Sequence, residues 1–474
     1  MVTPGGYLDI EVVDDTGIFS YDSTFFGTST TVRPGKTIAI IFQHETSTFY
    51  MFRGIIESIT PHPASRTATI YAVDAFERFN RTTIIGLTST GSATGGSNPT
   101  QSHLIVPTIG STGSGSTGNP IAVILDTVGG FTSTQRSISE PGATLGWWAE
   151  YNVTALDALH TMEEHELRGR IFIDGQGRCV FHSSTHRNGT TSAYVVTSAD
   201  FQDFGYNVSI NSVVNSARVT VHSRNIPLSG TTEILGSMLV DTIPQLSTAA
   251  PTNAITLIIP FTQLGSNAPQ VPRHRDGSSG TTGEWATRST RDLTGTTYDP
   301  ATITAFALAA AAMQVTITNT ATSAVFITYP PGSADTKTTL YVYGNAPAYA
   351  ALTTTTDDTA SQASFGIRRA TKDFNFFTTS SDGERVAAEL VSSTFLNPRP
   401  TGAKLYIAAT DTETRRQILT RELGDKITVT SPELNVTSKV YEIVGIEYSL
   451  TPEDGSDTVT YGFLQATWNL DTAS

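Results

Sequence analysis

Apolar and polar positions alternate along much of the chain, which predicts strands. From Lys36 to Phe42, Ile38, Ile40 and Phe42 share one face, and Ala39 and Ile41 share the other. That run reads as a strand covered on both sides, entered through the turn Arg33-Pro34-Gly35. Phe52 to Ile59 follows as a strand that Pro61 and Pro63 should break, and Thr67 to Val73 is the next. Further on, Ala217, Val219 and Val221 alternate with Arg218, Thr220 and His222 as one half-buried strand. Arg170–Ile173 and Arg178–His182 flank the turn residues Asp174-Gly175-Gln176-Gly177, a hairpin pattern.

Two stretches switch to helical spacing. Ala155 to Leu167 is preceded by Asn152 and Thr154, either able to cap, and carries a stripe through Val153, Leu156, Leu159 and Met162. Asp382 to Phe395 places Ala387, Leu390, Val391 and Phe395 on one face and stops before Asn397-Pro398. Residues 87–120 are rich in Gly, Ser, Thr and Asn and read as a long loop; Ile121 to Val128, before Gly129-Gly130, begins a new unit. Signals are weak from Asn225 to Ala301, with one strand at Ile255 to Phe261. Strands return at Gln314–Asn319, Ala324–Tyr329, Leu340–Tyr343, around Leu405, and at Lys426–Thr430, Val440–Leu450 and Thr458–Trp468. No period of 20–50 residues recurs.

Composition narrows the class. The 474 residues are 38% hydrophobic and only 15% charged, and Ser, Thr and Gly take up the difference. This bias favours sheets and turns. A net charge of −14 argues against sequence-independent binding to nucleic acid, which needs cations against phosphate. Cys179 is the one cysteine, so no intrachain disulfide forms. The N-terminal residues lack the pattern of a signal peptide, and the apolar run from Ala305 to Met313 is too short to span a bilayer. The expectation is a soluble protein made in the cytoplasm.

Candidate chemistry is thin. In HTMEEH, His160 and His165 are five apart, about 140° around a helix by its 3.6-residue period, so they cannot share a metal ion. His160 with Glu164 has a ligand spacing but no third partner, and a solvated polar helix face is expected. Asp174-Gly175-Gln176-Gly177 lacks the Gly-Lys-Ser/Thr ending of a phosphate loop. Cys179 sits among apolar strand residues and reads as an inert core thiol. The acidic neighbours Asp14-Asp15, Glu163-Glu164 and Asp357-Asp358 define no cleft. No catalytic, cofactor-binding or metal-binding residue is therefore expected, and the chain is not expected to be an enzyme.

Several phrases, taken in order, resemble the central hub proteins of tailed-bacteriophage tails and baseplates. The match runs through Phe19, Ser20, Arg33, Pro34, Gly35, Gly54, Ile55, Asp74 and Phe79. It continues with a helix before GRIFIDGQGRCVFHSS, then NSVVNSARVTVHS. Near the C-terminus, DTASQASFGIRRATKDF and RELGDKITVTSPELNVTSKVYEIVGIEYSL, with its Leu423-Gly424-Asp425 turn, resemble the closing barrel strands. Residues 1–225 and 310–474 are covered in outline; Asn225 to Ala301 matches nothing in the family.

The resemblance implies a mainly-β protein with two tube-forming, barrel-like domains, inserted smaller domains and two short helices. The first tube domain would be 1–86 plus a return strand at 205–224. An α+β unit at 121–204 and a peripheral sandwich at 225–354 would be insertions, and 355–474 the second tube domain. It further implies a homotrimeric ring in the virion tail tip or baseplate, adapting a sixfold tail tube. Its partners would be a distal tail or tail-tube protein and tail-tip, fibre or tape-measure proteins, with DNA passing through without specific binding. The alternative is a carbohydrate- or receptor-binding β-protein, for which Trp147-Trp148 would be the exposed aromatic pair; packing beside the first helix is the favoured reading of that pair.

Overall fold

The computed structural model describes residues 5–14, 19, 32–84, 120–139, 153–167, 169–183, 191–225, 233–240, 245–249, 252–262, 267–270, 285–288, 301–308, 312–328, 338–345, 348–377, 379–392, 399–451 and 463–472. The fold is mainly β. Its first sheet contains β1 (Tyr7–Val13), β2 (Thr37–His44), β3 (Ser47–His62) and β4 (Thr67–Val73), in the order β1-β4-β3-β2. Its alternation is one-sided. Ile56, Ala68, Ile70 and Ala72 are buried, whereas Ile41, on the opposite face from Ile40, is exposed. The second face expected to be covered is therefore open. Nor does Pro61 end β3, since it still pairs opposite Ala68 next to the hairpin turn, a strand-end position that tolerates the missing N–H.

Three helices follow: α1 (Phe76–Arg81), α2 (Pro120–Val128) and α3 (Ala155–His165). The Thr154 hydroxyl caps α3 by accepting from the Asp157 N–H at 3.0 Å. The predicted hairpin is present as β5 (Arg170–Ile173) and β6 (Cys179–His182). Next come β7 (Tyr194–Thr197), β8 (Phe201–Ser209) and β9 (Ser216–Asn225). Residues 233–345 then form three small three-stranded sheets around one core that contains Trp285, Val315, Ile317, Leu340 and Val342. The chain returns through β10 (Ala348–Asp357), α4 (Thr359–Phe365), β11 (Arg369–Phe374) and α5 (Ser380–Leu390). It finishes with β12 (Arg399–Ala408), α6 (Thr412–Thr420), β13 (Lys426–Ser431), β14 (Val436–Thr451) and β15 (Phe463–Thr472).

The largest sheet has the order β7-β13-β14-β15-β12-β8. Its two edge strands are consecutive in sequence, and residues 198–200 join them, with the Asp200 N–H donating to the Thr197 carbonyl at 2.9 Å. Laid flat, six strands would separate the edges by about 24 Å at ~4.8 Å per step. The link from Thr197 to Phe201 spans at most about 14 Å. The sheet must therefore roll into a barrel. Its interior holds Val196, Phe204, Leu405, Ile407, Ile427, Val429, Tyr441, Ile443 and Trp468, with Ile418 and Leu419 of α6 in the same core.

Three expectations are corrected. Residues 205–224 do not return to the first sheet. β8 closes the barrel beside β12, and β9 pairs with β10 and β11. The expected boundary at 354 falls inside β10. The described residues contain six α-helices rather than two, because α1, α2, α4 and α6 are too short to display a periodic stripe. α5 lies against β9 and β10, and Leu390 joins the core shared with α3; Phe395 lies outside the described residues. Among the described residues, no helix is long and apolar enough to cross a membrane.

Candidate functional site

The residues singled out for chemistry have structural roles. His165 is not on a solvated face. Its ring is buried within 5.1–5.2 Å of the rings of Phe374, Phe376 and Phe377. Nδ1–H donates to the Thr161 carbonyl at 2.7 Å, and Nε2 accepts from the Phe376 N–H at 3.4 Å. Burial pushes its pKa down to about 4, so it is neutral. His160, one turn away, is half-buried and does not meet it. The two helical spacings were legible; the aromatic pocket around His165 comes from residues more than 200 positions later and was not.

Asp174 organises its turn. Its carboxylate accepts from the N–H groups of Gln176 and Arg178 and from Arg178 Nε at 2.7 Å. Gly175 is required because any Cβ there would collide with the Tyr50 carbonyl of β3. The segment is therefore a docking turn, not a phosphate loop. Cys179 is buried, and desolvation, aided by Asp74 and Asp174, pushes its thiol up to about 12. Asp358 caps α4 through the Ser361 N–H at 2.7 Å, and Glu163 accepts from the Ile171 N–H. Among the described residues no cluster of His, Cys, Asp or Glu could hold a metal ion. Asp15 and Trp147-Trp148 lie outside the described residues.

The pattern that recurs is a module. In the first sheet, Gly35 sits at φ +86° in a turn closed by the Lys36 N–H to the Arg33 carbonyl at 3.1 Å. The Gly35 N–H donates to the Ile56 carbonyl at 2.8 Å, and the Ile56 N–H donates to the Lys36 carbonyl at 2.9 Å. In the barrel, Gly424 sits at φ +92° in a turn closed by the Asp425 N–H to the Glu422 carbonyl at 3.2 Å. The Gly424 N–H donates to the Ile443 carbonyl at 2.8 Å, and the Ile443 N–H donates to the Asp425 carbonyl at 2.9 Å.

The register then repeats. Ile55 opposes Val73 and Ile56 opposes Ala72; a bulge follows, and Ser58 opposes Tyr71. Likewise Glu442 opposes Asp471 and Ile443 opposes Leu470; a bulge follows, and Gly445 opposes Asn469. Both long strands have 16 residues. β1 lies beside β4 as β12 lies beside β15, so β1-β4-β3-β2 matches β12-β15-β14-β13 strand for strand. One difference remains. β12 and β13 are flanked by β8 and β7, whereas β1 and β2 are the edges of their sheet among the described residues.

A buried ion pair joins the β5–β6 hairpin to the barrel. Arg170 Nε lies 3.5 Å from Glu442 Oε1, both side chains being buried. Glu442, the polar break in the apolar row of β14, faces outward from the barrel, while Tyr441 and Ile443 face its core. The bulge after Ile443 then shifts parity, which brings Ile446 onto the core row of Tyr441 and Ile443 and leaves Val440 exposed on the opposite face.

No family model matches the sequence, and no curated protein matches it. Solved structures that match the chain include the 43 kDa tail protein of prophage MuSo2 from Shewanella oneidensis, at 10% identity and TM-score 0.44, covering 100% of this chain and 91% of that one. A tail protein from Neisseria meningitidis MC58 has 8% identity, TM-score 0.37 and coverage of 98% and 91%. Prophage tail protein gp18 from Listeria monocytogenes EGD-e has 9% identity, TM-score 0.40 and coverage of 99% and 85%.

Proposed function

We propose that the chain is a structural, non-enzymatic subunit of a bacteriophage tail, and specifically of the hub at the tail tip or baseplate. The repeated four-strand module carries the reading. A chain with two like modules, assembled as a threefold ring, presents six like units and can match a sixfold tail tube. The ordered phrases that resemble hub proteins support it. So does the placement of Gly35 and Gly424, which occupy the same turn at the head of each module.

In this reading the neighbours are a distal tail or tail-tube protein on one side and tail-tip, fibre or tape-measure proteins on the other. DNA passes through the ring without specific binding, as the net charge of −14 favours. The test is native mass spectrometry of the purified chain, alone and mixed with its tail neighbours. A species of three times the 50.6 kDa chain is expected. A stable dimer without a central hole would refute the proposal.

A further inference from the structure

The two modules share a backbone, so backbone shape alone does not tell them apart. Their side chains differ where the β5–β6 hairpin docks. On the second module that place is Glu442, which opposes Asp471 on β15 and Lys426 on β13 and is only 6% exposed. On the first module it is Ile55, which opposes Val73 on β4 and Thr37 on β2 and is 44% exposed.

The hairpin is tied to both modules. Phe76 and Phe79 of α1, which follows β4 closely, share a core with Ile171, Phe172, Val180 and Phe181 of the hairpin. Its turn sits on β3, with Gly175 against the Tyr50 carbonyl and Gly177 against the Arg53 side chain. On the barrel side, His182 lies against Gly424, Leu423 packs against both cores, and Arg170 meets Glu442 at 3.5 Å. Phe42, Phe49 and Met51 of the first sheet also pack against the barrel core.

Apolar contact is non-directional, so it holds these surfaces together without fixing one alignment. The ion pair does fix one. Both of its side chains are buried. A shift that carried Arg170 off Glu442, or a seat on Ile55 of the other module, would set a buried charge against an apolar partner.

We propose that the Arg170–Glu442 pair is the registry device of the chain. It selects the second module over the first as the seat of the hairpin, and so sets one fixed spacing between the two modules. A buried ion pair adds little net stability but rejects misaligned alternatives, because each of them strands a charge. The purpose rests on the ring reading, since six like units around a circle need one spacing within every chain. Arg170 and Glu442 are positioning residues in this account.

The test reads that spacing in the full-length chain by pulsed electron paramagnetic resonance. Spin labels are attached at Glu11→Cys in β1 and Val208→Cys in β8, both exposed positions; Cys179 is buried and takes no label. Dilution with excess unlabelled chain removes distances between copies. With the native pair, one narrow distance is expected. Arg170→Met with Glu442→Met should keep the hydrogen-exchange protection of the barrel amides, while the distance distribution broadens or splits. Arg170→Glu with Glu442→Arg should restore the single narrow peak. A narrow peak at the native distance in the double methionine chain overturns the inference. Loss of barrel protection in that chain overturns it too, because the pair would then be a stability element. So does a charge-swapped chain whose distribution stays broad. All three results leave the ring reading to the mass of the assembly, and a chain that never forms a trimer overturns that reading without altering the distances.

Discussion

The repeated turn makes a quantitative prediction, because its two glycines share a backbone but not a neighbourhood. Gly35 and Gly424 both adopt the left-handed conformation, so alanine at either position costs about 1–2 kcal/mol of backbone strain. At Gly35 an added Cβ meets nothing within 4 Å, and the cost should end there. At Gly424 it would lie 2.8 Å from His182 Nδ1. Overpacking of that kind adds about 1–3 kcal/mol. Gly424→Ala should therefore lose about 2–5 kcal/mol, and pairing it with His182→Ala should recover the steric part but not the backbone part. A chain of this size does not unfold in one step, so the assay is site-resolved hydrogen exchange. Gly35→Ala should lower the opening free energy of β2 and β3, and Gly424→Ala should lower that of β13 and β14 more steeply. Equal losses at the two sites, or no coupling between Gly424→Ala and His182→Ala, would refute the reasoning.

Other outcomes follow from the same geometry. Ile427→Asp puts an unpaired charge in the barrel core and should cost several kcal/mol; limited proteolysis should then cleave within 399–472, and resistance equal to wild type would contradict the barrel. His165 has a folded pKa near 4, below its ordinary 6.5. Its contribution is present above pH 6.5 and is lost as pH falls through 4, by about 3 kcal/mol. Asp74, raised by burial to about 6, works the other way: its contribution is full below pH 3.8 and is lost as pH rises through 6. The opening free energy of the core around α3, followed by site-resolved hydrogen exchange from pH 7 to 4, should therefore fall more gently in wild type than in Asp74→Asn, and His165→Phe should remove the acid-side loss. Cys179 should resist a thiol reagent at pH 8 until the protein is unfolded, and rapid native labelling would contradict its burial.

Local pattern made individual strands legible, but not their partners. Thr67–Val73, Lys426–Thr430 and the Asp174–Gly177 hairpin are visible because alternation and turn residues are written into adjacent positions. The alternation of Ala217, Val219 and Val221 marks a half-buried strand equally well. It carries no information about pairing with Thr354 and Lys372, which lie more than 130 residues away. The repeat was invisible for a related reason. Its copies share backbone hydrogen bonds, a glycine conformation and a bulge position, while their side chains differ, as Ile70 and Trp468 do at one shared core position. A bulge also defeats parity counting: Val440 and Ile446 look like one face until the shift after Ile443 separates them. The turn at Asp174–Gly177 was legible, because the glycine motif already lacked the ending that a phosphate loop needs.

The central claim is that two like modules per chain build a ring that matches a sixfold tube. Electron cryomicroscopy of the assembled protein tests it most directly, through the rotational symmetry of the ring as a function of resolution. At low resolution the two modules should be indistinguishable and the ring should look sixfold. As side chains emerge it should resolve to threefold, with the Gly35 and Gly424 turns alternating around the circumference. A ring without threefold symmetry, or a threefold assembly in which only one of the two modules lies on the circumference, would contradict the account.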